Sequence, residues 1–173
     1  PNLIGGIVLS YIWLMIFNSC LAHFSKTIVS TQWYAFWGLI IVVCWQQIGY
    51  MMIIYIAGIQ NIPGELIEAA KIDGANAWQL LKNVTLPMLM PTITICSFLT
   101  LTNGFKLFDQ NLALTGGNPG KLSELLALNI YDTMYGMTGW QGVGQAKAVI
   151  FFILVAVIAI VQNKLTTSKE VTD

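Results

Sequence analysis

Residues 68–75, Glu68-Ala69-Ala70-Lys71-Ile72-Asp73-Gly74-Ala75, together with the Leu86-Pro87 and Pro91 that follow, form a charged, Gly-punctuated island. The segments on either side are too long and too uncharged for an ordinary water-soluble domain. Just upstream, Pro63 suits a first helical turn, where its missing N–H costs nothing, and Glu65 suits the positive end of a helix. These signals predict a short helix over about 63–73. Gly74 stands where a helix C-cap wants a residue that tolerates positive φ. Asn76 can cap a second helix carrying Trp78, Leu81 and Val84 on one side. Leu86-Pro87 is expected to terminate that second helix. The resulting elbow, about 62–86, is too polar to span a bilayer and too ordered to be a slack loop.

Composition explains what the elbow is set into. The 173 residues are 56% hydrophobic and 9% charged, with a strongly positive mean hydropathy, where an ordinary globular domain carries about 25% charged residues. A bilayer core about 30 Å thick asks for about 20 apolar residues per helix, and charge-free intervals predict four spans, at about 3–21, 35–59, 87–106 and 144–164. Trp33, Tyr34 and Trp37 suit an interfacial belt at the start of the second span. The fourth reaches full length if Lys147 snorkels to the interface. Residues 107–143, with the turn signal Gly116-Gly117-Asn118-Pro119-Gly120, form an external or re-entrant connection. The expected class is therefore an all-α, polytopic transmembrane helical bundle, one domain over 1–173.

Several function classes are disfavoured at once. Net charge is zero, so no electrostatic case for nucleic acid exists. Cys20, Cys44 and Cys96 lie inside apolar segments without the spacing of a metal site and are expected to be buried and inert. With one His in the chain and no acid–nucleophile arrangement, no catalytic residue is assigned. No Gly-x-x-x-x-Gly-Lys-Ser/Thr loop is present to cradle a nucleotide, so no cofactor is expected on this chain. The chain starts at Pro1 and enters an apolar run directly, which reads as the continuation of a longer polypeptide.

Polar side chains inside the spans are pathway candidates, because they are costly in hydrocarbon. Trp45, Gln46, Gln47 and Tyr50 place an aromatic beside two amides, a chemistry suited to stacking on and hydrogen-bonding a sugar. Thr94, Ser97, Thr100 and Gly104 form a stripe on one face of the third span. The competing reading is that small and polar residues simply mediate helix packing. Lys106 and Asp109 are three apart and suited to an ion pair. His23 reads as an interfacial side chain.

The elbow also carries a resemblance. Glu68-Ala69-Ala70, Gly74, Val84-Thr85-Leu86-Pro87 at these spacings resemble the EAA signature of permease subunits of binding-protein-dependent ABC importers. Asp73-Gly74-Ala75, Trp78 and Pro91, then Phe105-Lys106-Leu107-Phe108-Asp109 and Leu114-Thr115-Gly116-Gly117-Asn118-Pro119, are similar to the carbohydrate-importer branch of maltose and multiple-sugar type. Leu81 and Val84 depart from the usual Phe and Ile but stay apolar. Such permeases usually have six or more spans, so four imply that about two precede this segment.

The resemblance implies the type I importer fold, in a bacterial plasma membrane, with the elbow as a cytoplasmic coupling helix. Glu68, Ala69, Ala70, Asp73, Gly74, Leu86 and Pro87 would then dock an ATPase. Small alanines permit close approach, and the two acids either bond the partner or cap the elbow. The resemblance also places Asn2, Gly6, Trp45, Gln46, Gln47, Thr100 and Gly104 at or near a sugar pathway. It implies four kinds of partner: a dimer of ATP-binding subunits carrying ATP and Mg, a second and different permease, an extracytoplasmic solute-binding protein, and a carbohydrate. Charge does not orient the chain. Lys71, Lys82, Lys164 and Lys169 would lie inside and Lys26, Lys106, Lys121 and Lys147 outside, an even split. An ATP-independent secondary transporter is the alternative. It would want ionisable residues at mid-membrane, and the four predicted spans hold none there.

Overall fold

The structure is a computed structural model, described over residues 1–167; Lys169 lies outside the described residues. Every element among the described residues is helical, and the chain divides into two compact units.

The first unit comprises residues 1–49 and 103–155. It contains α1 (Gly6–Ala22), the first part of α2 (Gln32–Gln60), α6 (Phe108–Leu114), α7 (Leu126–Tyr135) and the start of α8 (Gln141–Thr167). Its core is Leu9, Leu39, Val42 and Leu114, with Trp13, Leu14 and Phe17 packed against it. α1 lies along α6. The α1–α2 turn is fastened by Ile28, whose N–H donates to Asn18 Oδ1 at 3.0 Å and whose side chain is buried beside Gly38.

The second unit takes in residues 50–102 and the described residues from 156 on. It holds the rest of α2, α3 (Gly64–Ile72), α4 (Ala77–Leu80), a π turn (Leu81–Thr85), most of α5 (Leu86–Phe105) and the end of α8. Here α2 and α5 come close at Gly58, where a Cβ would collide with the Thr92 side chain. A small residue at such a crossing is what membrane helices use in place of a hydrophobic driving force.

Several expectations are corrected. Leu86-Pro87 does not end a helix. Ala77–Phe105 is helical throughout, because the preceding turn widens to a π turn in which the Leu86 N–H reaches Leu81 O, making room for the Pro87 ring. The 107–143 connection contains two short helices, α6 and α7. Cys20 and Cys44 are exposed, and only Cys96 is buried. The reason is that these helices bury little inside their own chain. Three helices are long and apolar enough to cross a membrane, yet only 22%, 17% and 6% of their apolar windows are buried. α1, an apolar helix of 17 residues, lies at the short end of the range that crosses a bilayer core.

Candidate functional site

The elbow is built by local chemistry. Pro63 is the N-cap of α3, one position before the helix it was expected to begin. At the other end Gly74 adopts φ +80°. The Ala75 N–H then donates to Ala70 O at 3.0 Å and the Gly74 N–H to Lys71 O at 3.1 Å, the paired bonds of a Schellman motif. Asn76 follows at once as the cap of α4. Its Oδ1 accepts from the Gln79 N–H at 2.9 Å, and Gln79 Oε1 accepts from the Asn76 N–H at 2.9 Å, a reciprocal capping box.

Two helices thus meet across four residues, 73–76, with the Schellman bonds closing the first and the capping box opening the second. Glu68, Ala69, Asp73 and Gly74 are exposed and Ala70 half-buried. Among the described residues neither the Glu68 nor the Asp73 carboxylate accepts a hydrogen bond or forms an ion pair. The cap is made by Gly74 and Asn76, which leaves both acids directed outward. Leu86 and Pro87 open α5.

The pathway candidates separate between the units. In the first, Gln46 is buried at 7% exposure and its Oε1 accepts from Gln110 Nε2 of α6 at 2.9 Å. Gln47 Oε1 is buried with no hydrogen-bond partner. Trp45 is 45% exposed, with its ring edge-on to Trp13 at 5.5 Å. Gly6 serves packing: a Cβ there would lie 2.8 Å from Asp109 Cβ, so its lack of a side chain lets α1 close on α6. Asn2 precedes α1 and is exposed. Gly104 is exposed with open space around its Cα.

In the second unit Thr100 lines a cavity of about 360 Å³ with Met51, Tyr55, Cys96, Ser97 and Leu101. Thr94, the first residue of the predicted stripe, is buried and spends its hydroxyl on Met90 O at 3.0 Å.

The connector holds the remaining chemistry. Lys106 and Asp109 do not pair. α5 ends at Phe105 and α6 starts at Phe108, so the two residues share no helix. Lys121 instead bridges Glu124 Oε1 and Asp132 Oδ2, each at 3.1 Å. Its bonds to Glu124 and then to Asp132 hold its ammonium above the ordinary lysine value. Lys147 does not simply snorkel outward: its Nζ donates to Asn129 Oδ1 and Thr133 Oγ1, both at 2.8 Å. His23 caps α1, edge-on to Phe24.

Sequence reasoning missed Gln110, Tyr55, Asn111 and Asn129. Gln110 directly follows the Phe105–Asp109 signature. Tyr55 continues the face of Gln47 and Met51 at four-residue spacing, a signal that was available. Asn111 and Asn129 gave no local sign.

A family model described as "Binding-protein-dependent transport system inner membrane component" matches residues 1–168. The chain is 50% identical to the "Probable starch degradation products transport system permease protein AmyD" of Thermoanaerobacterium thermosulfurigenes, over 99% of this chain and 61% of that protein. It is 32% identical to the "Multiple sugar-binding transport system permease protein MsmF" of Streptococcus mutans, over 99% of this chain and 62% of that one. Its fold is similar, with a TM-score of 0.81 at 20% identity, to a chain in the crystal structure of a bacterial ABC transporter involved in the import of the acidic polysaccharide alginate, covering 97% of this chain and 62% of the other. The chain spans about three fifths of the length of the curated relatives it matches.

Proposed function

Because the chain belongs to the family of binding-protein-dependent transport system inner membrane components, we propose that it is a pore-forming permease subunit of an ATP-driven importer of sugars or oligosaccharides. It is coupled to a separate ATPase through the Glu68–Gly74 elbow. The observation that carries the coupling is the elbow itself. Its caps are closed internally by Gly74 and Asn76, while Glu68, Ala69 and Asp73 stand exposed and uncommitted. Exposed small residues that permit close approach, and carboxylates left free to accept bonds, support docking of a protein partner here.

The substrate class is supported by the names of the relatives at 50% and 32% identity, and by amides, hydroxyls and indole at Trp45, Gln46, Gln47 and Thr100. These groups hydrogen-bond and stack with neutral glycans. ATP and Mg sit on a dimer of ATP-binding subunits, a second permease completes the pore, and an extracytoplasmic solute-binding protein delivers the sugar. The elbow then faces the cytoplasm and the connector the outside. ATP-driven closure of the partner subunits moves the elbow, and the rigid helices carry that movement to the pore as a rigid-body switch.

The test is co-purification of the complete subunit with its ATP-binding partner, comparing wild type with Gly74→Val at equal membrane expression. Valine at φ +80° is strained by about 1–3 kcal/mol, which unseats the α3–α4 turn. Capture by wild type and its loss in the variant is the expected result. Equal capture by both removes the elbow as the dock, and capture by neither removes the ATPase from the reading.

A further inference from the structure

Lys147 lies inside an apolar helix, six residues after the start of α8 at Gln141, and its ammonium is held by neutral oxygens. Asn129 Oδ1 and Thr133 Oγ1, one helical turn apart on α7, both accept from it at 2.8 Å. Among the described residues no carboxylate lies within ion-pair distance of it. Asn129 is the junction of a longer chain of bonds. Its Nδ2 donates to Glu124 Oε2 at 2.8 Å, and Glu124 Oε1 accepts from Lys121, which also bonds Asp132. The Thr133 hydroxyl donates to Asn129 O at 2.7 Å. One continuous network therefore runs from Lys121, just after the Gly116–Gly120 turn, across α7, to α8.

A second observation places the same helix faces together. Gly144, one turn before Lys147, is buried, and a Cβ there would collide with Met134 Cγ and lie 3.1 Å from Met134 Cα. The start of α8 is thus pressed onto α7 sterically and pinned there by charge-assisted bonds. Such bonds are stronger than neutral ones, and stronger still away from water.

We propose that Lys147 is a positioning residue: through Asn129 and Thr133 it locks α7 to α8, so that the connector and this end of α8 form one bracket presenting the connector to the solute-binding protein. The partner named here rests on the function proposed above. The bracket itself rests only on the geometry.

The experiment uses the complete transporter in lipid nanodiscs, with Lys147→Met, Lys147→Arg and Thr133→Val. The first readout is hydrogen exchange of the α7 amides. Lys147→Met is expected to speed their exchange roughly tenfold while α3 is unchanged. Lys147→Arg, whose fork also donates twice, is expected to restore protection. The second readout is the concentration of sugar-loaded binding protein that half-saturates ATP hydrolysis, expected to rise several-fold in Lys147→Met with an unchanged maximum.

Unaltered exchange in Lys147→Met overturns the bracket. Faster exchange with unaltered half-saturation overturns the positioning role. If Lys147→Met does not reach the membrane, Thr133→Val, which removes one oxygen isosterically, decides by the same two readouts. If wild type shows no ATP hydrolysis, the failure is that of the proposed function, and exchange alone still judges the bracket.

Discussion

Asn111 is 0% exposed, and every polar atom of its side chain is used. Its Nδ2 donates to Thr115 Oγ1 at 2.9 Å and to Ser123 O at 2.8 Å, while its Oδ1 accepts from the Leu125 N–H at 2.8 Å. One amide therefore closes the loop between α6 and α7. Asn111→Leu is expected to destabilise the connector by about 3 kcal/mol, because it strands several buried partners at once. Asn111→Asp keeps the acceptor but loses both donated bonds, to Thr115 Oγ1 and Ser123 O, and sets a buried carboxylate against the Ser123 carbonyl, so it is expected to cost at least as much. Protection of the 115–126 amides against hydrogen exchange checks both. Gly74 and Asn76 were legible in the sequence because their chemistry is satisfied within a few residues. Asn111 was not, since its partners lie up to 14 residues away, and neither was the Gln46–Gln110 bond, which joins residues 64 apart. The close approach of Gly6 to Asp109, 103 residues on, was equally out of view.

At the scale of elements, the elbow shows how a short helix and the first turns of a long one can be ordered without burying a core. No residue of α3, α4 or the π turn is buried; α3, at nine residues, is marginal by length alone, while α4 and the π turn open the continuous Ala77–Phe105 helix. The turn between them is set by caps. Asn76→Ala removes the capping box and is expected to cost about 1 kcal/mol. The loss should appear as faster exchange across Ala77–Thr85 with α3 unaffected, and uniform loosening of α3 as well would mean that the two helices unfold as one unit. Caps of this kind are read from sequence because they depend on residue type at fixed offsets. The π turn is not, because nothing in Leu81–Thr85 distinguishes a widened turn from an ordinary one. The expectation of a break at Leu86-Pro87 came from the rule that proline ends helices, which holds only when the preceding turn is regular. Similarly, charge-free intervals located the long helices but not their ends: α2 begins at Gln32, and α8 at Gln141 rather than near Gly144.

For the whole molecule, the decisive quantity is where charge is absent. α1, α2, the Ala77–Phe105 helix and the described length of α8 contain no Asp or Glu, and α2 contains no charge of any kind over 29 residues. A transporter driven by protons or sodium needs an ionisable or carbonyl-rich site near mid-membrane whose occupancy changes during the cycle. Lys82, Lys147 and Lys164 lie towards the ends of their helices, and Lys147 is committed to Asn129 and Thr133. The polar groups that do lie within the helices, Gln46, Gln47, Ser97 and Thr100, are neutral at every physiological pH, so they carry no proton across the membrane. The function proposed above takes its energy from a partner ATPase instead. Proteoliposomes holding the complete transporter and its binding protein are accordingly expected to take up sugar only with ATP enclosed on the elbow side. Uptake should keep its rate when proton and sodium gradients are collapsed by ionophores. Uptake that persists without ATP and disappears with the gradients would instead identify an ion-coupled carrier, and the elbow would lose its purpose as an energy input.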